Sequence, residues 1–346
     1  MRRVAFRIYM ISVLAFLFVL PAQNSHGVDE VGFVLPWVPF GRDAGWYPAV
    51  EKGFYAAEGL KVRIDRGYGG ADNIKKVAAG SYDIGGVDTG SLLLARDQGI
   101  KMKIVGMYHD KAPFVLRWME GSGIKSLKDL EGKTVGAPAG DSNLKVLPAL
   151  MSLNGLDFKK IKVINVDPTA REGMLVAGKL DAITGFHIQQ PTIDAMAGKQ
   201  GKKVKMTLFA DNGIDVYGLG MNVTESYMQE KGEILKKFLR ASVKSMAYSV
   251  EHPDEAVKLW LKHYPQADPK INRQVWDLTI DGMLTDEQMR LGIWRMDRGK
   301  WERTRDILSK GYGLKKKIPV EDLYTNEFLP TVKPPKRGSR TIARQW

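Results

Sequence analysis

The sequence predicts an α/β fold of two lobes joined by a two-segment hinge, with a ligand cleft between them. Three features carry that prediction. Short β-type runs alternate with helical segments from Val28 onward, the same alternation restarts near Lys125, and the texture turns mostly helical after Gly220. At roughly 100–200 residues per domain, 346 residues suit two domains.

Residues 31–35 read as the first strand. A loop rich in Trp and Pro follows, then a helix over 47–58 that stops at Gly59. Residues 61–65 alternate as a strand and run into Gly67-Tyr68-Gly69-Gly70, where Asp72 is expected to cap a helix over 73–79. A short buried strand at 82–87 leads through Asp88-Thr89-Gly90 into a helix over 91–98, and 101–107 forms another strand. In the second unit the strand 134–137 feeds Pro138-Ala139-Gly140-Asp141-Ser142, which opens a helix reaching Gly155. Strand 162–166, helix 169–176, strand 182–185 and a helix over 188–197 complete it, with Pro191 in the first turn of the last. Beyond Gly220, helices are expected over 225–252 and 253–263 and onward to about Phe328, with Pro253 in a first turn where its missing N–H costs nothing. This grammar divides the chain into one lobe of 28–115 plus 221–330 and another of 116–220, with crossings near 113–119 and 217–222.

The chain begins with Arg2, Arg3 and Arg7 ahead of an apolar run, 8–20, closed by Pro21. Ser25-His26-Gly27 then offers the small residues that a signal peptidase reads, so 1–27 is expected to be a signal peptide and the mature chain exported. An uncleaved anchor is the alternative, although the run is shorter than the ~20 apolar residues of a comfortable span. With no Cys at all, disulfides, thiolate zinc sites, iron–sulfur clusters, cysteine nucleophiles and a lipoprotein anchor are excluded.

The formal charge of +13 invites a nucleic-acid reading. Removing 1–27 lowers 52 basic residues to 49 against 39 acids, and 332–346 holds five more: Lys333, Lys336, Arg337, Arg340 and Arg344. Much of the excess thus sits in a Pro-rich segment, 331–346, expected to be a flexible tail. No basic face interleaved with aromatics and no helix-turn-helix or RNP pattern occurs, so no nucleic-acid partner is expected. The five histidines lack metal-ligand spacing, Gly67-Tyr68-Gly69-Gly70 lacks the third glycine of a dinucleotide fingerprint, and no Gly-x-Ser-x-Gly elbow is present. Neither metal, cofactor nor catalysis is expected.

Leu35-x-Trp37-x-Pro39, Gly45-x-Tyr47-x-Ala49, Glu51-Lys52-Gly53-Phe54 and Glu58-Gly59-Leu60 form a dense ordered set. Ala79-Gly80-x-x-Asp83, Leu94-Ala95-Arg96-x-x-Gly99, Ser126-Leu127-x-Asp129-Leu130-x-Gly132-Lys133, Gly178-x-Leu180-Asp181-Ala182 and His252-Pro253-Asp254-Glu255-Ala256 follow in order. Together they resemble the NMT1/THI5-like (thiamine-pyrimidine) branch of ABC-transporter solute-binding proteins, related to the nitrate/sulfonate/taurine-binding proteins. The resemblance implies a type II periplasmic-binding-protein fold that closes on a small molecule and delivers it to a membrane permease with a cytoplasmic ATPase. A monomer is expected. Where pyrimidine-binding members read Trp-x-Pro-Asn-x-x-His, this chain reads Trp37-Val38-Pro39-Phe40-Gly41-Arg42-Asp43, so that family's polar partners for a pyrimidine are absent from the first loop.

Several candidate ligand residues follow. Trp37 and Trp46 flank Phe40 and offer flat faces for stacking, with core packing as the alternative. Arg42 presents a fork suited to two oxygens, and Asp43 either pairs with it or accepts from a ligand N–H. Tyr68-Gly69-Gly70 and Asp88-Thr89 sit at strand-to-helix turns, where backbone N–H groups cradle an anion or carbonyl; plain helix capping is the alternative. Gly140-Asp141-Ser142 and Gly185-Phe186 occupy the corresponding turns of the second unit, with Gln189 and Tyr217 as further candidates. The aromatic loop favours an aromatic or heteroaromatic ligand, while Arg42 and the glycine-rich turns favour a small oxyanion such as a sulfonate. A periplasmic sensor would use the same cleft. The family's pyrimidine synthases use a histidine of their own chain where this sequence has Asp43, together with cysteines it lacks.

Overall fold

The structure is a computed structural model that describes residues 27–139 and 141–335. The expected signal peptide up to His26, Gly140, and the tail from Lys336 onward lie outside the described residues. Among the described residues, ten strands make two five-stranded sheets of identical plan. The first contains β1 (Asp29–Val34), β2 (Leu60–Asp65), β3 (Ile84–Asp88), β4 (Met102–Met107) and β10 (Leu219–Thr224), in the order β2-β1-β3-β10-β4. The second contains β5 (Phe114–Met119), β6 (Thr134–Ala137), β7 (Lys162–Asn165), β8 (Ala182–Phe186) and β9 (Val204–Leu208), in the order β7-β6-β8-β5-β9. In each, four strands run in one direction and the strand arriving from the other lobe inserts antiparallel: β10 between β3 and β4, β5 between β8 and β9.

The helices are α1 (Tyr47–Glu51), α2 (Phe54–Ala57), α3 (Gly70–Ala78), α4 (Thr89–Asp97), α5 (Ser142–Leu153), α6 (Arg171–Val176) and α7 (Gln190–Gly198). The helical C-terminal region supplies α8 (Glu225–Glu230), α9 (Gly232–Glu251), α10 (Pro253–Leu261), α11 (Pro269–Met283), α12 (Asp286–Leu291) and α13 (Arg298–Tyr312). No helix among the described residues is long and apolar enough to cross a membrane.

Several sequence expectations shift for local reasons. The single helix expected over 47–58 is a 3-10 turn at Gly41–Trp46 followed by α1 and α2, because Gly53 takes φ +74 and breaks the ladder. Gly69, not Asp72, is the N-cap of α3; Asp72 lies in its first turn and pairs with Lys76 at 2.8 Å. The helix expected over 225–252 divides into α8 and α9 at Lys231. The crossings expected near 113–119 and 217–222 fall mostly in strands β5 and β10. The tail expected from 331 is ordered at its start: Ile293 N donates to Val332 O at 2.9 Å, and Pro334 is buried.

The segments that pass between lobes are 108–113 and 209–218, and they hydrogen-bond to each other. His109 N donates to Leu219 O at 2.9 Å, Gly218 N to His109 O at 3.0 Å, and Ala112 N to Val216 O at 2.8 Å. The start of α13 clamps this ribbon. Buried Lys300 pairs with Asp110 at 3.1 Å and Glu287 at 3.6 Å, while Tyr217 N donates to Thr304 Oγ1 at 3.0 Å. Burial raises the Glu287 carboxyl above its usual range. Further along, α13 packs on both α4 and α5, so one apolar cluster with Trp301 and Leu308 runs from Leu92 of the first lobe to Val146 of the second. The first lobe also has its own core around Phe33, Trp46, Phe238 and Trp294.

Removing Lys300 would leave Asp110 as an uncompensated buried carboxylate. Lys300→Ala is therefore expected to cost roughly 3–5 kcal/mol in a urea unfolding titration. A loss below about 1 kcal/mol would show that the ion pair does not hold the crossings.

Candidate functional site

The C-terminal ends of the parallel strands in both sheets carry most of the predicted residues. In the first lobe, Trp37 follows β1, and its carbonyl accepts from Gly67 N at 3.3 Å. Its ring stands 3.4 Å from where a side chain at Gly69 would begin, and 41% of the residue remains exposed. The Arg42 guanidinium lies 4.3 Å from the centre of the Phe40 ring. Its Nε donates to Asp43 Oδ1 at 3.2 Å, and Asp43 Oδ2 accepts from Phe40 N at 3.2 Å. Burial raises the Asp43 carboxyl, with the Arg42 charge opposing it. Asp88 caps α4, accepting from Ser91 N at 2.9 Å and Ser91 Oγ at 2.6 Å. A side chain at Gly70 would meet that same Ser91 Oγ at 2.5 Å and Asp88 Oδ2 at 2.6 Å, so the starts of α3 and α4 touch only because Gly70 has none.

In the second lobe Asp141 caps α5, accepting from Asn143 N at 2.7 Å, while Thr184 Oγ1 donates to its other oxygen at 2.8 Å and Arg171 Nη1 lies 3.6 Å away. Phe186 stacks on Phe114 with centroids 6.1 Å apart. Gln189 Oε1 accepts from Phe186 N at 3.2 Å and from Arg171 Nη2 at 3.4 Å. Gly185 leaves room for the guanidinium of buried Arg117, whose Nε donates to Gln190 Oε1 at 2.8 Å and Nη2 to Phe186 O at 2.5 Å. Burial lowers that guanidinium to about 9.

Two contacts show that these strand ends face each other. Tyr312, the last residue of α13, lies beside the Ser142 side chain at the start of α5, and a methyl group at Gly90 in the first turn of α4 would overlap its hydroxyl. Burial, then the charge of Asp88, pushes the Tyr312 phenol up. On α11, a side chain at Gly282 would begin 3.9 Å from His109 Nδ1 of the first crossing and 3.8 Å from His187 Cε1 of the second lobe. Around this junction four buried polar atoms have no hydrogen-bond partner among the described residues: Arg42 Nη2, Tyr108 Oη, and both ring nitrogens of His109. Burial holds His109 well below the usual imidazole range, with the Arg42 charge adding to the effect. Along the edge where α11 meets α7 and β9, a groove of about 1250 Å³ opens, lined by Gln190, Asp194, Lys203, Lys270 and Gln274 among others. Among the described residues, no group of three or more His, Asp or Glu side chains is placed to hold a metal ion.

The structure therefore brings together Trp37, Phe40, Arg42, Asp43, Gly69, Gly70 and Asp88 on one side, and Asp141, Ser142, Gly185, Phe186 and Gln189 on the other. Gly140 lies outside the described residues. Three candidates move elsewhere. Trp46 is 2% exposed and packs edge-on to Phe33 and Tyr108, because the 3-10 turn rolls it into the core. Tyr217 is fully buried in the crossing ribbon, where its hydroxyl accepts from Asp297 N at 2.6 Å. Thr89 is also buried, donating to Tyr217 O at 2.7 Å. Tyr68 stays at the surface, 59% exposed, its ring flanked by Arg66 and Lys76. Tyr108, His109, Arg171, Thr184 and Tyr312 were not foreseen. Tyr108 and His109 directly follow β4, so the rule that α/β sites gather at strand C-termini would have flagged them; Tyr312 carries no such signal.

The NMT1/THI5 like family model matches residues 42–256, more than half of the chain. The riboflavin-binding protein RibY of Chloroflexus aurantiacus is 28% identical over 324 residues, covering 90% of this chain and 89% of that protein. A formylaminopyrimidine-binding protein of Halalkalibacterium halodurans is 25% identical, covering 91% and 96%. Among solved structures, the periplasmic aliphatic sulphonate binding protein SsuA of Escherichia coli superposes with a TM-score of 0.66 at 16% identity, covering 87% of this chain and 99% of that one. The shared architecture is that of the two-lobed periplasmic binding proteins, and the chain belongs to the NMT1/THI5-like family.

Proposed function

We propose that this chain is the solute-binding component of an ABC importer, exported to the periplasm, that captures a small flat heteroaromatic molecule between its lobes and passes it to a membrane permease. The observation that carries the reading is Trp37: a tryptophan just past the end of β1, half-exposed, with its ring set close beside Gly69, is a stacking face whose open side has no ring partner among the described residues. Hinge closure would follow from ligand contacts made to both lobes at once, since only differential contact shifts a two-state equilibrium. The clamp of α13 along one edge and the groove along the other favour opening on the groove side. Binding rather than catalysis is supported by Asp43 at the position of the synthases' histidine and by the lack of any Cys.

The oxyanion alternative is opposed by charge. Helix starts attract anions through their free N–H groups, but here α4 and α5 each open on an aspartate, and Tyr312 lies between them. A sulfonate there would meet two carboxylates and displace a phenol.

A thermal-unfolding screen of the mature chain after refolding to strip ligand tests the class. Heterocycles such as pyrimidines and flavins are expected to raise the midpoint, by about 2.7 kcal/mol of added stability at 100 times the dissociation constant. Sulfonates and nitrate are expected to leave it unchanged; a shift with these alone would overturn the reading. Trp37→Ala is expected to weaken capture more than tenfold, since stacking on an aromatic residue is worth about 1–3 kcal/mol, while leaving the unfolding midpoint intact. Trp46→Ala is expected to behave oppositely, losing about 3–5 kcal/mol of stability. The pair separates a ligand face from a core tryptophan in one titration and one melt.

A further inference from the structure

The four unpartnered atoms at the lobe junction describe the edge of the molecule that would satisfy them. Native proteins leave few buried polar atoms without partners, because each costs about 1–3 kcal/mol. Two of the three residues are adjacent in the chain, and all three are buried. The Tyr108 and His109 rings are 5.5 Å apart, and the Arg42 charge acts on both. Arg42 is 4% exposed, Tyr108 4% and His109 0%. Arg42 Nε is already engaged by Asp43, while Nη2 has no partner among the described residues.

Counting donors settles the chemistry they request. Arginine nitrogens only donate. A phenol can donate or accept. His109, buried and kept well below its usual range, is neutral at pH 7, so one ring nitrogen donates and the other accepts. The set therefore offers up to three donors and needs an N–H from its partner at no more than one or two points. Resting on the capture reading above, we propose that Arg42, Tyr108 and His109 form a recognition edge for a planar ligand presenting carbonyl, N–H, carbonyl in sequence, as a pyrimidine-2,4-dione does, in preference to an aminopyrimidine. A dione turns two lone-pair-bearing oxygens toward the donors and one N–H toward the His109 lone pair. An exocyclic amine at the same place would set donor against donor beside Arg42, and sites built to hydrogen-bond one edge reject the wrong one strongly. Gly282 of α11 lies directly beside His109: a side chain there would begin 3.9 Å from Nδ1, in ordinary van der Waals contact.

The test is isothermal titration of the refolded mature chain with thymine and 5-methylcytosine, which differ at this edge and share ring size. Lumichrome, which carries the same dione on a larger stacking face, is the third probe. At least tenfold tighter binding of a dione than of 5-methylcytosine is expected. That preference should collapse in the double variant Arg42→Met/Asp43→Asn, which removes both members of the buried pair together so that neither charge is stranded, and in His109→Phe. A melt of each variant confirms folding, and the ratio of the two affinities, unlike either affinity alone, does not move when only stability changes. Equal or tighter binding of 5-methylcytosine, or an unchanged ratio in both folded variants, would overturn the dione edge and leave heterocycle capture standing. Binding of an alkanesulfonate with none of the heterocycles would overturn both.

Discussion

The backbone pairing of the two lobe crossings is the constraint on which the rest of the molecule depends. His109, Ala112, Val216 and Gly218 hydrogen-bond across the segments that would otherwise be two independent linkers, which makes one ribbon with a defined register. A ribbon of extended chain can bend without breaking its ladder, so it serves as a hinge only if something fixes its ends. Lys300 does so on one side by pairing with Asp110, and Tyr217 does so on the other through Asp297 and Thr304. Because those partners come from the C-terminal helices, the last third of the chain sets the geometry of a junction built by the middle. The identical strand order of the two sheets follows from the same exchange: each crossing delivers one strand to the opposite lobe, and each is received antiparallel beside the strand that leaves.

The same junction has an uneven electrostatic character. Both helix starts that face across it are capped by aspartates, which satisfy their own N–H groups and screen the helix dipoles from any further anion. Arg42 Nη2, Tyr108 Oη and the His109 ring nitrogens have no hydrogen-bond partner among the described residues. Carboxylates thus cap the helix ends, while unused hydrogen-bonding capacity lies elsewhere at the junction.

Much of this was legible in the sequence. The strand at 134–137, the turns at Asp88 and Asp141, and the two-unit α/β grammar stand where the chain's periodicity and glycine punctuation put them. The strands β5 and β10 were not legible as strands. Each is buried on nearly every residue, so neither shows the alternation that marks a half-buried strand, and both follow directly on a crossing. Trp46 and Trp37 illustrate the limit for the site. They lie nine residues apart in one loop, and whether a tryptophan meets solvent or Phe33 depends on a 3-10 turn whose position is set by α11 packing against Gly41, where any side chain would collide with the Asn272 backbone.

The sequence by itself determined the class: its β/α alternation, its restart near Lys125 and its helical C-terminal region specify two lobes, because local periodicity follows directly from which residues must be buried. Its ordered short motifs pointed to the family. Only the tertiary structure decided which side chains meet. His109 and Gly282 are separated by half the chain, and Ser142 and Tyr312 by nearly that much, and no local pattern encodes such a meeting. Those contacts arise when the C-terminal helices fold back across both lobes, and they are set by packing over long sequence distances rather than by the propensity of any segment.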